Sequence, residues 1–412
     1  MTPSRVYLDW NATAPLRPEA RAAMLAALEA TGNPSSIHAE GRAAQAIVER
    51  ARAQVAALVG AEPHNVIFTG SATEAASLAL SRHWQGDGIA RPASRLYVSA
   101  IEHSCVLAGG QFAPGEVSKV AVTSTGIIDL IHLKQQFEGH NPTLGRPLVA
   151  LMLANNETGI VQPVPEAAAL VHAAGGYLIC DAVQAAGRLP VDVKSLGADA
   201  LFLSAHKLGG PKGVGALILA DEAVAPAPLI RGGGQERGHR AGTENVAGIS
   251  GFGAAADAAL AGLVDMPGLA ALRDTLVRRA CTPSATPAKP AEHGFNPLTL
   301  EPGGTNAGLQ RLPNTALLSL PGAKAETLVI QLDLAGIAVS AGSACSSGKV
   351  KRSHVLDAMG IDPAVAEGTI RVSLGQTTTE ADVERFLVVW SSIVARHNAA
   401  SSSSRRRESS QA

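Results

Sequence analysis

The chain has 412 residues, 46% of them hydrophobic and 17% charged, with 34 basic residues against 35 acidic ones. That balance suits a globular protein large enough for two domains, and it leaves no charged footprint for nucleic acid or a membrane surface. Aromatic residues, at 3%, are too few for a base-stacking platform.

The opening MTPSRVYLDWNATAPLRPEA lacks the basic and apolar pattern of a signal segment. No run of about 18 apolar residues is evident further on, so no membrane span is expected. RPEARAAMLAALEA (17–30) and AEGRAAQAIVERARAQVAALV (39–59) carry apolar residues at helical spacing, the second stopping at Gly60. NVIFTG (65–70) reads as a short buried strand running into a helix, SATEAASLAL. Further strands follow at RLYVSA (95–100), PLVALMLA (147–154), YLICDA (177–182) and ALFLSA (200–205), with a helical PEAAALVHAAG (165–175) among them.

Buried strands alternating with helices predict an α/β domain with a mainly parallel sheet. Its strands end in TGSATE, AIEHS, ANNE, CDAVQ and SAHK. Polar residues gathered at the ends of successive strands are what such a sheet offers as a ligand crevice.

From about residue 260 the texture changes. A helix over GLAALRDTLVRRA (268–280) leads into CTPSATPAKPAEHGFNP, which reads as a loop. TALLSLPG (315–322), AETLVIQLDLAGIAVSAG (325–342) and GTIRVSLG (368–375) suggest a smaller α+β domain, closed by an amphipathic helix over 379–397. The expected division is a large domain over 16–258, a small one over 1–15 and 259–398, and a disordered Ser/Arg tail over 399–412.

Cys105, Cys180, Cys281 and Cys345 lie far apart, with no CxxC and no histidine pair at ligand spacing. That argues against a zinc site or a disulfide framework and favours a reducing cytoplasm. Cys180 sits within an apolar strand and reads as core, Cys105 packs behind His103, and Cys281 falls in the linker. Cys345 stands apart, because SAGSACSSG (340–348) gives it no aliphatic neighbour, whereas structural cysteines are usually buried.

Lys207 closes an apolar strand just before a glycine turn, in SAHKLGGPKG. Most lysines are solvated surface residues, and Lys212 reads as one. The crevice instead desolvates Lys207, which lowers its pKa and suits it to a Schiff base with a carbonyl compound. Asp181 ends the preceding strand, where a buried carboxylate needs a partner. A protonated pyridine nitrogen is such a partner, and aspartate with a Schiff-base lysine is the pair expected of a pyridoxal phosphate site. The helix beginning at Ser71-Ala72-Thr73 offers N–H groups and a hydroxyl to a phosphate, with Ser204 and His206 beside the lysine. Helix capping is an equally ordinary role for Ser71 and Thr73.

These residues resemble the cysteine desulfurases, a branch of the fold-type I, class V aminotransferase-like pyridoxal phosphate enzymes. The resemblance runs in order through YLDWNATAP, GNPSSIH, FTGSATEAASLAL, IEHSCVL, ANNETGIVQP, CDAVQAAGRLPVD, SAHKLGGPKGVGAL, RGGGQERGHRAGTEN, SAGSACSSG and IRVSLG. It implies a large domain with a mainly parallel seven-stranded sheet beside a smaller α+β domain. It also implies Lys207 as the Schiff-base lysine and His103 stacked on the pyridine ring with a part in proton transfer. By the same resemblance Asp181 pairs with the ring nitrogen, and Asn156 and Gln184 lie on the phenolic-oxygen side. Ala72, Thr73, Ser204 and His206 match phosphate binders, and Thr243 matches one donated by the second subunit of a homodimer. Arg371 and Asn33 match residues that hold the substrate carboxylate.

Cys345 falls at the nucleophile. Its thiolate takes sulfur from L-cysteine as a persulfide and leaves L-alanine. The length of the loop is similar to that in the nitrogen-fixation and housekeeping iron–sulfur enzymes, which implies a U-type iron–sulfur scaffold or another sulfur acceptor as partner. No intrinsic metal is implied, although Cys345 could ligate a cluster transiently during transfer. The alternatives are a selenocysteine lyase, an aminotransferase or a kynureninase-like hydrolase of the same fold, a cysteine hydrolase or acyltransferase, and an inactive sulfur-assembly partner. The lysine, aspartate, histidine and loop cysteine together favour the desulfurase.

Overall fold

The computed structural model describes residues 5–86, 89–90, 92–281, 309–342 and 352–408. Seven short strands form its central sheet: β1 (Val66–Thr69), β2 (Ala93–Ser99), β3 (Val117–Val120), β4 (Arg146–Met152), β5 (Tyr177–Asp181), β6 (Ala200–Ser204) and β7 (Gly215–Leu219). They lie in the order β1-β7-β6-β5-β4-β2-β3. All neighbours are parallel except β7, which runs antiparallel to both β1 and β6. The expected seven-stranded, mainly parallel sheet is therefore present.

Every residue of β5, β6 and β7 is buried. Continuous apolar runs such as YLIC and ALFL serve a sheet covered on both faces, where alternation would leave polar groups inside. One face packs Val55, Phe68, Leu151, Leu203 and Phe252, and the other packs Trp84, Leu96, Ile179 and Phe202.

Helices α1 (Pro18–Glu29), α2 (Ala39–Leu58), α3 (Ala72–Ala79), α4 (Val164–Ala173) and α5 (Val246–Ala261) belong to this unit, with α5 packed against α1 and α2. α5 continues through a 3₁₀ turn into α6 (Met266–Cys281). Contrary to the sequence expectation, Val246–Cys281 is long and apolar enough by composition to pass for a membrane span. Its apolarity has a packing reason: Ile249, Phe252, Ala255, Ala256 and Ala259 are buried in the core.

A second unit contains β8 (Thr315–Ser319), α7 (Ala325–Leu334), β9 (Ser340–Ala341), β10 (Thr369–Ser373) and α8 (Glu380–Glu408). β10 lies between β8 and β9, antiparallel to both. Val6–Tyr7 pairs with Ile337–Ala338, so the N-terminal segment joins this unit. Leu8, Leu276, Leu332, Ile370, Phe386 and Trp390 form its core. Ile101, Met152, Leu317, Val355 and Leu356 pack together between this unit and the polar edge of the central sheet.

Two expectations are corrected. α8 does not stop near residue 398 but runs to Glu408. The stretch after 398 contains alanine and arginine and neither glycine nor proline before Glu408, so nothing in it breaks a helix. Cys281 is the last residue of α6, packed partly against the second core, rather than part of a loop. Most of the Pro-rich stretch after it, 282–308, lies outside the described residues.

β1 pairs with β7 on one side only. On its other side the Phe68 N–H donates to Glu236 Oε2 at 2.9 Å. The Val66 carbonyl accepts from Arg52 Nη1 at 2.8 Å and from Arg237 Nη2 at 2.9 Å. Arg52 also grips Glu236 through both nitrogens, at 2.7 and 2.9 Å, with both side chains buried. Glu236 and Arg237 adopt φ of 47° and 54°, the left-handed region that non-glycine residues enter at a cost.

Candidate active site

The strand ends that the sequence marked as polar converge on one cavity of about 550 Å³. Asp181 reaches it from the end of β5, Ser204 from the end of β6, and His206 and Lys207 from the 3₁₀ turn that follows. Ala72 and Thr73 arrive on the first turn of α3, and His103 on the segment after β2. Asn156 and Gln184 follow β4 and β5, and Arg371 comes across from β10 of the second unit.

Lys207 Nζ donates to the carbonyls of Asn11 at 2.6 Å and Ala12 at 2.9 Å. Burial pushes its pKa down to about 8, helped by the positive charges of Arg371 and Arg188 and opposed by Asp181. Burial pushes Asp181 up to about 6, against a hydrogen bond from the Val183 N–H and the charge of Lys207. A carboxylate at that value is still mostly ionised at neutral pH, but its burial is not fully offset by the donor and cation it has, so a further cationic partner in the cavity would stabilise it.

Burial, with Lys207 and Lys212 nearby, takes His206 down to about 4, so it meets a ligand as a neutral ring. Its Nδ1 lies 3.1 Å from Thr13 Oγ1. Ser71 caps α3, accepting from the Glu74 N–H at 3.1 Å. The remaining N–H groups of that first turn are of the kind an anion satisfies. Gly215 of β7 lies so close that a Cβ there would come within 2.4 Å of the Ser71 backbone, so only glycine lets the strand and the helix start meet.

Arg371 is 5% exposed. Nη2 donates to Asp9 Oδ1 at 2.8 Å and Nη1 to the Asn156 carbonyl at 3.0 Å, while Nε is buried without a partner. A buried guanidinium with one unused donor beside the cavity suits a carboxylate ligand.

The donor set fits pyridoxal phosphate. An anion site at the start of α3 faces Ser204 and His206, and a carboxylate short of a cation sits at the other end of the cavity. A desolvated amine and an imidazole lie between them.

Two residues implied by the resemblance are not brought to the cavity. Asn33 is exposed and closes its own turn, accepting from Ser35 N–H at 2.9 Å through its side chain and from Ser36 N–H through its carbonyl. Within its own chain the Asn33 side chain therefore stands outside this cavity. Thr243 is exposed and does not line the cavity of its own chain. Cys345 lies outside the described residues, but Gly342, three positions before it, lines the cavity. Lys212, expected to be an ordinary surface lysine, is exposed yet also lines the cavity.

Sequence reasoning missed several residues. Asn11 is a hub: Nδ2 donates to the Asn156 carbonyl and Thr315 Oγ1, Oδ1 accepts from Asn314, and its carbonyl accepts from both Gln184 and Lys207. Arg188 donates to Gln184 Oε1 and fixes that amide. Glu102, fully buried, accepts from the Met152 N–H at 2.7 Å through Oε1, while Oε2 has no partner. Burial and Asp181 hold its carboxyl well above the usual range. Composition marks none of these. Only Glu102 carried a signal, its place in the polar strand end AIEHS.

The aminotransferase class-V family model matches residues 6–266 and 296–386. A cysteine desulfurase of Cereibacter sphaeroides is 42% identical over 95% of this chain and 96% of its own length. An IscS-like cysteine desulfurase of Mycobacterium tuberculosis is 37% identical over 96% of this chain and 97% of its own. Among solved structures, a NifS-like protein from Rickettsia africae superposes with a TM-score of 0.80 at 31% identity, covering 94% of this chain and 99% of that one.

Proposed function

The chain belongs to the aminotransferase class-V family, and from that membership and the cavity we propose how it works as a cysteine desulfurase dependent on pyridoxal phosphate. The observation that carries the reading is the desolvated Lys207 amine facing an under-partnered Asp181 carboxylate in one cavity. Pyridoxal phosphate bound there supplies an electron sink for the carbon from which the substrate loses its proton.

The residues divide the remaining work. The start of α3, with Thr73, Ser204 and His206, holds the phosphate. Asp181 would keep a proton on the ring nitrogen, and Asn156 and Gln184 would hold the phenolic-oxygen side. Arg371 holds the carboxylate of L-cysteine, in a fork whose geometry a lysine would not reproduce. Neutral Lys207 Nζ takes the α-proton, a task suited to an amine whose pKa lies near the working pH. His103 would cover the ring and hand on a proton. The Cys345 thiolate attacks the substrate sulfur: an S–S bond forms, the C–S bond breaks, and its electron pair remains with the carbon fragment. Protonation of that fragment gives L-alanine and leaves a persulfide on Cys345.

Thr243, exposed on its own chain, serves the phosphate site of the second subunit in a homodimer. A U-type iron–sulfur scaffold or another sulfur acceptor takes the persulfide sulfur. We place the reaction in the reducing cytoplasm, a reading supported by the free thiols of Cys105, Cys180 and Cys281.

The purified protein should be yellow, absorbing near ~400 nm as a lysine-bound pyridoxal chromophore does, and should convert L-cysteine to equimolar alanine and sulfide with a thiol reductant present. A colourless protein that pyridoxal phosphate does not reconstitute would overturn the reading. Asp181→Asn should keep the fold and bind the cofactor while lowering turnover about a hundredfold or more, because a neutral amide no longer favours the ring proton. Turnover within threefold of wild type would remove Asp181 from the chemistry.

A further inference from the structure

We propose that Cys105 is a positioning residue that holds His103 as the neutral tautomer with its proton on Nε2. The inference deepens the proposed reading, in which His103 lies against the cofactor and hands on a proton. The side chain of His103 caps the short helix Ser104–Leu107, with Nδ1 accepting from the Cys105 N–H at 3.3 Å. The Cys105 sulfur lies 3.1 Å from the same nitrogen.

A ring nitrogen that accepts from a backbone N–H carries no proton of its own. The thiol is the second donor to it, since burial first, then the charges of Asp181 and Glu102, push the Cys105 pKa up to about 12 and keep the S–H intact. Burial, with Lys207 and His354 facing the ring, lowers the His103 pKa, so the ring is neutral and its proton sits on the other nitrogen. Lys207 follows β6, His354 comes from the second unit, and Asp181 and Glu102 stand on the thiol side. The Thr73 side chain at the start of α3 acts on the same thiol, lowering its pKa by less than burial raises it.

The consequence is a defined proton at a defined atom. Nδ1 faces the thiol, and Nε2–H is left to donate. A cysteine that served instead as a second sulfur carrier would need to be a thiolate, which this pocket disfavours.

The test uses the full-length protein purified with its cofactor. With ¹⁵N-labelled histidine, His103 should show the Nε2–H pattern in the wild type without substrate, and an Nδ1–H pattern would overturn the proposal. In Cys105→Ala the acid limb of the kcat/KM profile for L-cysteine should move up by about half to one pH unit, the worth of one neutral hydrogen bond. Cys105→Ser, which restores a donor, should return the limb to its wild-type position. An alanine variant that keeps its colour and an unmoved limb, or alanine and serine variants with the same profile, would overturn the proposal. So would mass-spectrometric detection of a persulfide on Cys105 after turnover. If Cys105→Ala does not fold, the wild-type tautomer and the serine profile decide alone. Because the tautomer is read without substrate, its failure is distinguishable from failure to act on L-cysteine.

Discussion

Lys207→Ala is expected to lose the yellow chromophore and at least about a thousandfold in L-cysteine turnover. The expectation follows from what burial does to this amine. An ordinary lysine titrating near 10.5 is almost wholly charged at neutral pH, and a charged amine neither attacks a carbonyl nor takes a proton. With its pKa pushed down to about 8, the neutral fraction of Lys207 at pH 7 rises by roughly 10^2.5. The Asn11 and Ala12 carbonyls fix Nζ at 2.6 and 2.9 Å, which aims the amine at one place in the cavity. Lys207→Arg should fail as badly, because a guanidinium stays charged and lacks a nucleophilic amine. Small primary amines added to the alanine variant should restore part of the activity by supplying the missing base. Turnover of Lys207→Ala within tenfold of wild type would mean another group takes the α-proton.

Cys345→Ser should separate the two halves of the reaction. The variant should keep its colour and its spectral response to L-cysteine, yet lose persulfide and sulfide formation by about a thousandfold. A serine hydroxyl is not ionised at neutral pH and is a poor nucleophile toward sulfur. Gly342, on the cavity wall, and Ser353, whose hydroxyl donates to Glu157 Oε2 at 2.5 Å, flank the segment that carries Cys345. A serine variant that mobilised sulfur at the wild-type rate would assign the nucleophile elsewhere.

The sheet and most of the cavity were legible in the sequence because buried strands announce themselves as short apolar runs. Their polar ends then had to meet on one edge. Lys207 and Asp181 stood out as charged groups placed where charge is costly. Asn11 did not, since its importance lies in bonds to residues roughly 150 to 300 positions away, and Arg188 did not, since its grip on Gln184 and on the carbonyls of Lys207 and Trp10 exists only once the fold brings them together. Glu102 showed in the sequence only as one polar residue of the strand end AIEHS, and only the fold shows it buried with one oxygen unpartnered. Asn33 differs from these: the motif is present, but within its own chain the side chain closes a turn outside the cavity. The Ser/Arg stretch misled because composition reports solvation, whereas a helix already under way at Glu380 needs only the absence of a breaker to continue.

The left-handed pair Glu236-Arg237 has a consequence beyond the cavity. A sheet ending in β1 would ordinarily present a row of open backbone donors and acceptors, a template on which a colliding chain can add a strand. Here the Phe68 N–H is spent on a buried carboxylate and the Val66 carbonyl on two guanidinium groups. The strained turn thereby acts as a guard against edge-to-edge aggregation, and it leaves no ladder to join at the border of the sheet that runs into the phosphate site.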